Sequence, residues 1–333
     1  MSFDDFMNSL SPSVRKSVQI AKEFETVTYP WASLGLTLAT GGLGAGRVHT
    51  VYGNPSAGKS MLALQTIAKL QKEYGLVCGY ADVEATFDKE FSKSLGVNND
   101  ELLIATSRSG GQLSNNIIPW IEKGIDLIVV DSISDILPES YIDKDGLLKE
   151  ADDRKQIGSQ SKAVTNLING IHYANKKTII ILLSQTSTRI ESYGSFQAPT
   201  SGKKVEFASS QMIKLNSSNT DKEQIKQEVM VGKVPTTVPV GRHVEATVEK
   251  NKIGPPKRIA KWDIYYGGDN IGIDFTEEII TLAVDYGVIE KVNNRTTTYR
   301  DNTWTSKSDM IAGIKNSQGI YDSIEEELKE MVL

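Results

Sequence analysis

The sequence predicts an α/β fold in which a mainly parallel central sheet is flanked by helices. Strand-like runs alternate with helix-like runs: VHTVY, SMLALQTIAKLQKEYG, LVCGYADVE, a polar helix-like stretch, IDLIVVD and KTIIILLSQ. The runs IDLIVVD and KTIIILLSQ are apolar on both faces, as interior parallel strands are. A glycine-rich turn joins VHTVY to the helix-like run that follows it, which is typical of a βα unit with its helix on one face of the sheet.

Length and composition restrict the class of protein. The 333 residues are 39% hydrophobic and 24% charged, which favours a folded globular chain with one large domain and smaller appendages. Cys78 is the single cysteine, which excludes an intrachain disulfide framework and favours a reducing, intracellular compartment. The N-terminus lacks a signal pattern and no run of about 18 apolar residues occurs, so we expect a cytoplasmic protein without a membrane span.

The two ends of the chain differ from its centre. Ser11 to Phe24 combines an N-cap serine, Pro12 at the first helical position and apolar residues at helical spacing, so a short amphipathic helix is predicted. Strand-like runs follow Phe207, and from Gly272 onward a helical run and two short terminal helices are predicted. The predicted parts are an N-terminal helix and linker over 1–30, a core over 31–270 and a small C-terminal α/β domain over 271–333.

A phosphate-binding motif, Gly-x-x-x-x-Gly-Lys-Ser, lies between a predicted strand and a predicted helix. Its glycines let backbone N–H groups turn inward around phosphate oxygens, and the helix N-terminus adds a favourable field. In such a loop Lys59 contacts the β- and γ-phosphates and the Ser60 hydroxyl is a ligand for Mg²⁺. The predicted nucleotide-binding residues of this loop are Gly53, Asn54, Pro55, Ser56, Ala57, Gly58, Lys59 and Ser60.

Three acidic residues end strand-like runs. Asp131 follows an apolar run, so its carboxylate is expected at the sheet edge beside the phosphate loop, where it would hold Mg²⁺ or its water. Glu84 and Asp82 end the run LVCGYADVE, and either could orient a water that attacks the γ-phosphate. Strand alternation does not choose between them. A solvated acidic strand end is the alternative interpretation.

Five runs resemble the bacterial RecA recombinase family in their order and spacing: VYGNPSAGKSMLALQTIA, GYADVEATFDKEFSKSLGVNNDELLIA, DLIVVDSISDILPE, IILLSQTSTRI and VEKNKIGPPKRIAKWDIYYGGDNIG. The resemblance covers about residues 27–290. It implies a RecA-like P-loop ATPase core that binds ATP and Mg²⁺ and forms homo-oligomeric helical filaments on single-stranded DNA. It also implies homology search and strand exchange with homologous duplex DNA, and encounters with single-strand-binding or loader proteins, in the cytoplasm of a bacterium or a phage-infected cell.

The resemblance also implies roles for the residues around the phosphates. Lys59, Ser60 and Asp131 match the nucleotide and magnesium residues of the family. Glu84, rather than Asp82, matches its catalytic carboxylate.

Five further positions match the family at a distance from the loop. Asp88 and Phe91 match adenine contacts, and Gln185 matches a glutamine that contacts the γ-phosphate. Lys250 and Lys252 match lysines that reach the γ-phosphate held by a neighbouring protomer, so that ATP hydrolysis would require assembly. A solvated basic strand face is the alternative interpretation of these lysines.

Two segments resemble the DNA-binding loops of the family. The segment 139–157 is acidic except at its end, where Arg154 and Lys155 are the predicted DNA contacts. The segment 186–206 mixes cations with aliphatic and aromatic groups that can wedge or stack between bases, and we expect it to lack regular secondary structure. Its predicted DNA-binding residues are Arg189, Ile190, Gly202, Lys203 and Lys204.

Two other functions use the same core. A hexameric DNA helicase or translocase is disfavoured by the appended C-terminal region and by the segment VEKNKIGPPK. A single-stranded-DNA-coating adaptor that does not hydrolyse ATP is disfavoured by the presence of both Glu84 and Lys59.

Overall fold

The structure is a computed structural model that describes residues 1–15, 18, 26–143, 149, 158–191, 194–200, 202–216, 224–231, 234–267 and 270–332. The helices of this part are α1 (Phe3–Ser9), α2 (Pro12–Arg15), α3 (Leu34–Thr40), α4 (Lys59–Tyr74), α5 (Lys89–Ser94), α6 (Gly110–Lys123), α7 (Ser159–Ala174), α8 (Lys203–Ala208), α9 (Phe275–Asp285), α10 (Lys307–Lys315) and α11 (Gln318–Val332). The strands are β1 (Thr28–Tyr29), β2 (Leu43–Gly44), β3 (Val48–Gly53), β4 (Cys78–Asp82), β5 (Leu102–Thr106), β6 (Leu127–Asp131), β7 (Ile179–Glu191), β8 (Gly194–Pro199), β9 (Gln211–Asn216), β10 (Gln224–Val231), β11 (Val234–Asn251), β12 (Ile259–Gly267), β13 (Asn270–Ile273), β14 (Glu290–Lys291), β15 (Thr297–Tyr299) and β16 (Asn302–Trp304).

Within the described residues, an eleven-stranded sheet runs in the order β13-β12-β11-β9-β3-β7-β6-β4-β5, with β10 paired to β11 and β8 to β7. From β9 to β5 every neighbouring pair is parallel, whereas β11, β12 and β13 add an antiparallel extension. The predicted fold, a RecA-like α/β core with a mainly parallel sheet, is confirmed.

The central strands are apolar on both faces because helices cover both. Val129 and Ile181 face a cluster that includes α4, while Ile128 and Ile180, one residue earlier on the same strands, face a cluster that includes α6 and α7. All four side chains are at most 1% exposed. Burying each of them stabilises the fold by about 1.5–3 kcal/mol relative to exposure. Because β3, β6 and β7 are parallel, the C-terminal ends of β3 and β6 and the Gln185 position of β7 lie at one edge of the sheet, where the phosphate loop lies.

Helix α3 joins the sheet to the C-terminal helices. Leu36 packs in the cluster on the α4 face of the sheet, whereas Leu34 and Leu38 pack in a separate cluster with α9, α10 and α11. The buried carboxylate of Glu278 on α9 accepts hydrogen bonds from the backbone N–H groups of Leu34 (3.3 Å) and Gly35 (3.1 Å). Burial raises the pKa of Glu278 to about 7.

The terminal predictions have different outcomes. Of the predicted helix over Ser11–Phe24, the described part is α2. A second helix, α1, precedes it and begins with a capping box between Ser2 and Asp5. Both predicted terminal helices are confirmed as α10 and α11. The domain boundaries stay predictions, and β13 of the main sheet spans the predicted boundary at 270/271.

The prediction that segment 186–206 lacks secondary structure is wrong. Strand β7 continues to Glu191 and pairs antiparallel with β8, and α8 begins at Lys203. Alternating β-branched residues at Thr186, Thr188 and Ile190 explain the strand, because such side chains favour a pleated backbone.

Candidate nucleotide site

The phosphate loop joins the end of β3 to the start of α4. Gly53 ends the strand where an added Cβ would lie 2.6 Å from the carbonyl oxygen of Leu215, so no larger residue fits. Gly58 takes a φ of +91° immediately before α4, and Ser56 also has a left-handed φ of +59°. The turn therefore ends directly at a helix N-terminus of the kind that binds anions.

Lys59 lies buried beneath its own loop. Its Nζ donates to the carbonyl oxygens of Gly53 (3.1 Å) and Asn54 (3.0 Å). Burial lowers the pKa of Lys59, while the carboxylates of Asp131 and Glu84 oppose that change. An ammonium group has three donors, so a phosphate oxygen entering the loop can accept the remaining one.

Ser60 and Asp131 lie in contact as the magnesium hypothesis requires. Ser60 Oγ donates to Asp131 Oδ2 over 2.6 Å, and the Tyr80 hydroxyl donates to the same oxygen over 2.5 Å. Burial raises the pKa of Asp131, and the two hydroxyl donors and Lys59 oppose this. Within the described residues no group of three or more His, Cys, Asp or Glu side chains is placed to hold a metal. The pair suits Mg²⁺, which is commonly held by one or two carboxylates together with phosphate oxygens.

Asp82 and Glu84, which spacing left as alternatives, have different surroundings. Asp82 is buried at the end of β4, and its carboxylate accepts hydrogen bonds from the backbone N–H groups of Thr86 (3.1 Å) and Phe87 (3.0 Å). Both of its oxygens therefore hold the turn that follows the strand. Glu84 lies in that turn and is half-buried, and Ala85 beside it has a left-handed φ of +58°.

Glu84 faces a cleft of about 430 Å³ whose lining includes Gln185 and Arg108. Burial raises the pKa of Glu84, a hydrogen bond from Ser132 opposes this, and the charge of Asp131 raises it further. A carboxylate with a raised pKa beside the phosphate loop can take a proton from water, whereas Asp82 is committed to the turn. The geometry therefore favours Glu84 as the candidate base.

Gln185 lies on β7, at the same edge of the sheet as the phosphate loop. Its backbone N–H donates to Ser134 Oγ (2.9 Å), and its carbonyl oxygen accepts from the N–H (3.0 Å) and Oγ1 (2.9 Å) of Thr200. The next residue, Thr186, donates from Oγ1 to Asn54 Oδ1 of the phosphate loop over 2.8 Å. A direct hydrogen bond therefore connects the phosphate loop with the base of the β7–β8 hairpin.

The predicted DNA-binding residues fall into two groups. Two lie on β7 in the hairpin and three lie where α8 begins: Arg189, Ile190, Gly202, Lys203 and Lys204. Gly202 takes a φ of +84° immediately before α8. Arg154 and Lys155 lie outside the described residues.

Lys250 and Lys252 are not brought to the phosphate loop of their own chain. Through β9 the strand register aligns Lys250 with Thr50, three residues before Gly53, which is about 10 Å along the strand. Lys250 Nζ donates to the carbonyl oxygen of Glu206 on α8 over 2.5 Å, and Lys252 is exposed. Burial lowers the pKa of Lys250, and the charge of Lys252 lowers it further.

Asp88 and Phe91 form the start of α5. The Asp88 carboxylate accepts from the Phe91 backbone N–H over 2.6 Å and caps the helix. Phe91 is 37% exposed, so part of it is accessible to a ligand. The adenine contact itself stays a prediction.

Sequence reasoning missed Tyr80 and Arg108. Tyr80 precedes Asp82 by two residues on β4, and strand alternation alone would place both side chains on one face. Arg108 follows β5, a strand that was not predicted, so the sequence offered no reason to place it near Glu84.

Comparison with known proteins identifies the family. The model of the RecA N-terminal domain matches residues 13–272. A Protein RecA from Sulfurovum sp. is 32% identical over 315 residues, which cover 93% of this chain and 85% of the relative. Proteins of the same name from Methylobacterium radiotolerans and Caulobacter vibrioides are 33% and 30% identical, with 81% and 92% of this chain covered and 69% and 82% of the relatives. None of the described helices is both long and apolar enough to span a membrane. The chain belongs to the RecA family.

Proposed function

We propose that this chain is an ATP-dependent homologous DNA recombinase that assembles as helical filaments on single-stranded DNA and hydrolyses ATP at protomer interfaces. The observation that carries the proposal is the meeting of the phosphate loop, the Ser60–Asp131 pair, Glu84 and Gln185 at one edge of the sheet. The proposal places the protein in the cytoplasm.

The residues at this edge have complementary tasks in the proposed reaction. The phosphate loop and Lys59 bind the phosphates of ATP, and Ser60 and Asp131 hold Mg²⁺, which neutralises phosphate charge when bound. Glu84 orients the attacking water and accepts its proton. Lys250 and Lys252 of a neighbouring protomer stabilise the charge that develops on the γ-phosphate, so that turnover depends on assembly.

The Thr186–Asn54 hydrogen bond supports nucleotide control of DNA binding. A γ-phosphate that shifts Asn54 would alter the base of the hairpin that carries Arg189 and Ile190. ATP then acts as a switch whose strength equals its differential affinity for the two hairpin states.

Strand exchange tests the proposal most directly. Full-length protein with ATP and Mg²⁺ is expected to form joint molecules between single-stranded DNA and homologous duplex, and none with heterologous duplex. Turnover of ATP should rise when single-stranded DNA is added, and a Glu84→Gln variant should lose that rise. Exchange that ignores homology, closed rings in negative stain, or turnover that DNA does not stimulate would contradict the proposal.

A further inference from the structure

The buried hydroxyl of Tyr80 contacts the carboxylate that is proposed to hold Mg²⁺. Tyr80 is 3% exposed, and its hydroxyl donates to Asp131 Oδ2 over 2.5 Å. Ser60 Oγ donates to the same oxygen over 2.6 Å. Among the described residues, no side chain or N–H group donates a hydrogen bond to Asp131 Oδ1. Because a carboxylate oxygen has two lone pairs, the two hydroxyls occupy Oδ2 and leave Oδ1 as the oxygen that is open to a metal ion or its water.

The sheet fixes the Tyr80 side chain on the face where α4 begins. Tyr80 on β4 is aligned with Val129 on β6, and Asp131 follows Val129 by two residues, so the three side chains lie on one face. The Tyr80 ring packs in the cluster that includes α4, and the centroid of the Phe87 ring lies 5.5 Å from its own. Because this packing restricts the ring, the hydroxyl stays directed at Asp131.

The other described contacts of Asp131 hold its main chain. Its carbonyl oxygen accepts from the N–H groups of Val83 (2.7 Å) and Glu84 (3.3 Å). The charge of Lys59 attracts the carboxylate without selecting one of its two oxygens. Within the described residues, the hydroxyls of Ser60 and Tyr80 are therefore the groups that orient the carboxylate.

The two hydroxyls have different tasks in the proposed site. The Ser60 oxygen is also a ligand for Mg²⁺, so its contact with Asp131 depends on whether the metal is bound. Tyr80 lies inside the sheet and is not among the proposed metal ligands. Its phenol keeps its proton at neutral pH, so it donates to Oδ2 with or without the metal.

We propose that Tyr80 is a positioning residue for Mg²⁺ binding, which holds Asp131 Oδ2 and so keeps Oδ1 available to the metal. The inference rests on the proposed function, because that function includes ATP and Mg²⁺ at this site. It adds a residue that contacts neither of them. Replacing a group that hydrogen-bonds to a metal ligand typically lowers metal affinity or activity 10- to 100-fold, on the order of the effect expected here.

The first experiment measures how much Mg²⁺ strengthens nucleotide binding. The affinity for a fluorescent ATP analogue is measured in Mg²⁺ and in EDTA, and the ratio of the two affinities is the gain due to the metal. Tyr80→Phe keeps the ring and removes the hydroxyl, so it is expected to reduce this gain about tenfold, with the affinity in EDTA within about twofold of wild type.

The matched control removes a tyrosine hydroxyl from a similar bond elsewhere. Tyr299 is also buried, and its hydroxyl donates to the Glu327 carboxylate over 2.9 Å. Tyr299→Phe should therefore leave the gain due to Mg²⁺ unchanged.

The second experiment measures the Mg²⁺ requirement of ATP turnover. Tyr80→Phe should raise the Mg²⁺ concentration for the half-maximal rate about tenfold. At saturating Mg²⁺ the rate should return to within about twofold of wild type, because excess metal fills a weakened site. A rate that stays low at saturating Mg²⁺, with an unchanged Mg²⁺ requirement, would overturn the proposal.

The binding measurements distinguish this inference from the proposed function. Wild-type protein that binds the analogue equally in Mg²⁺ and in EDTA would overturn the magnesium site and the role of Tyr80 with it. A wild-type gain that Tyr80→Phe retains in full would overturn the role of Tyr80 alone. A gain reduced in Tyr80→Phe would support that role even if strand exchange failed.

Thermal unfolding in EDTA separates positioning from stability. Tyr80→Phe is expected to unfold as a single cooperative transition and to bind the analogue in EDTA as wild type does. A lowered midpoint together with equal losses of affinity in Mg²⁺ and in EDTA would assign the hydroxyl to stability and reject positioning.

Discussion

Two regions of the sheet, the edge at the phosphate loop and the part of β11 that carries Lys250 and leads to Lys252, differ in what a single chain supplies. Past the end of β3, one chain brings together Lys59, the Ser60–Asp131 pair and Glu84 in direct or near contact. About 10 Å away along the strands, level with the middle of β3, Lys250 is bonded to a carbonyl oxygen of α8 and lies away from its own phosphate loop. The first region has the residues of a phosphate-binding site within one chain, whereas the proposed function requires the lysines of the second region to act on a neighbouring copy.

The largest effect is expected from the lysines. Lys250→Ala and Lys252→Ala should each lower DNA-stimulated turnover about 1000-fold, the scale of a cation supplied in trans, while nucleotide binding by a single chain stays within about twofold. Rates of ATP hydrolysis and binding of a fluorescent ATP analogue measure the two. Lys261→Ala, on the neighbouring strand and paired with Glu245, is the matched control.

A mixture of two inactive variants tests whether the phosphate loop and the lysines act on the same nucleotide. Lys59→Ala chains retain the lysines and Lys250→Ala chains retain the phosphate loop, so equal mixtures should regain activity at about one quarter of interfaces if the chains assemble at random. No recovery on mixing, or equal loss of binding and turnover in Lys250→Ala, would show that the phosphate loop and the lysines do not share a site.

Replacement of the two acids on the same turn should give different outcomes. Glu84→Gln is expected to lower stimulated turnover about 100-fold by removing the base, with ATP binding and thermal unfolding unchanged. Asp82→Asn should instead reduce the free energy of unfolding by about 1–3 kcal/mol, because a charged acceptor of two backbone N–H groups is lost. Steady-state kinetics and urea unfolding of both variants check this, and the reverse assignment would follow if Asp82→Asn were stable but inactive.

A smaller effect is expected at the link between the phosphate loop and the hairpin. Thr186→Val removes the donor to Asn54 and should reduce about two- to tenfold the gain in single-stranded-DNA affinity produced by a slowly hydrolysed ATP analogue. Fluorescence anisotropy with and without the analogue measures that gain. Thr188→Val, two residues further along β7, is the control. An unchanged gain in Thr186→Val would show that the Thr186–Asn54 hydrogen bond does not couple nucleotide binding to DNA affinity.

The contact of Glu278 on α9 with the start of α3 should affect stability and leave turnover unchanged. Because burial raises the pKa of Glu278 to about 7, the folded chain keeps a proton that the unfolded chain loses near pH 4.5. The free energy of unfolding should therefore fall as pH rises from about 4.5 to 7, by up to about 3 kcal/mol. Urea unfolding across this range checks the slope. Glu278→Gln should flatten it and leave turnover unchanged, and an unaltered slope would assign the pH dependence to other groups.

The sequence predicted those parts of the fold in which local pattern and burial agree. VHTVY, IDLIVVD and KTIIILLSQ are strands because both of their faces are covered, and the phosphate motif lies at a strand–helix junction as expected. Strand β5 was missed inside a stretch interpreted as helical. It lies at the sheet edge with Leu103 44% and Ile104 39% exposed, so its pattern does not resemble that of a buried strand.

The sequence predicted which residues form the candidate site better than it predicted the contacts between them. Lys59, Ser60 and Asp131 follow from motif and strand end, but the spacing of Asp82 and Glu84 could not show which carboxylate binds backbone N–H groups. The bond between Thr186 and Asn54 joins residues 132 positions apart, and no local pattern predicts such a pair. The position of Arg108 could not be predicted, because it follows a strand that the sequence did not indicate. Its hydrogen-bond partner Glu84 lies in a turn whose left-handed residue is an alanine.

Helix α3 has a practical consequence for anyone who shortens this chain. Its seven residues are all buried, and the flank carrying Leu34 and Leu38 is covered by the last three helices. A fragment that stops before α9 would expose the apolar surface of Leu34 and Leu38 to water. It would also remove the Glu278 carboxylate that accepts the hydrogen bond of the Ser33 hydroxyl. Such a fragment should aggregate even if the phosphate-loop edge of the sheet is intact. Expressed versions of the chain should therefore keep helices α9 to α11.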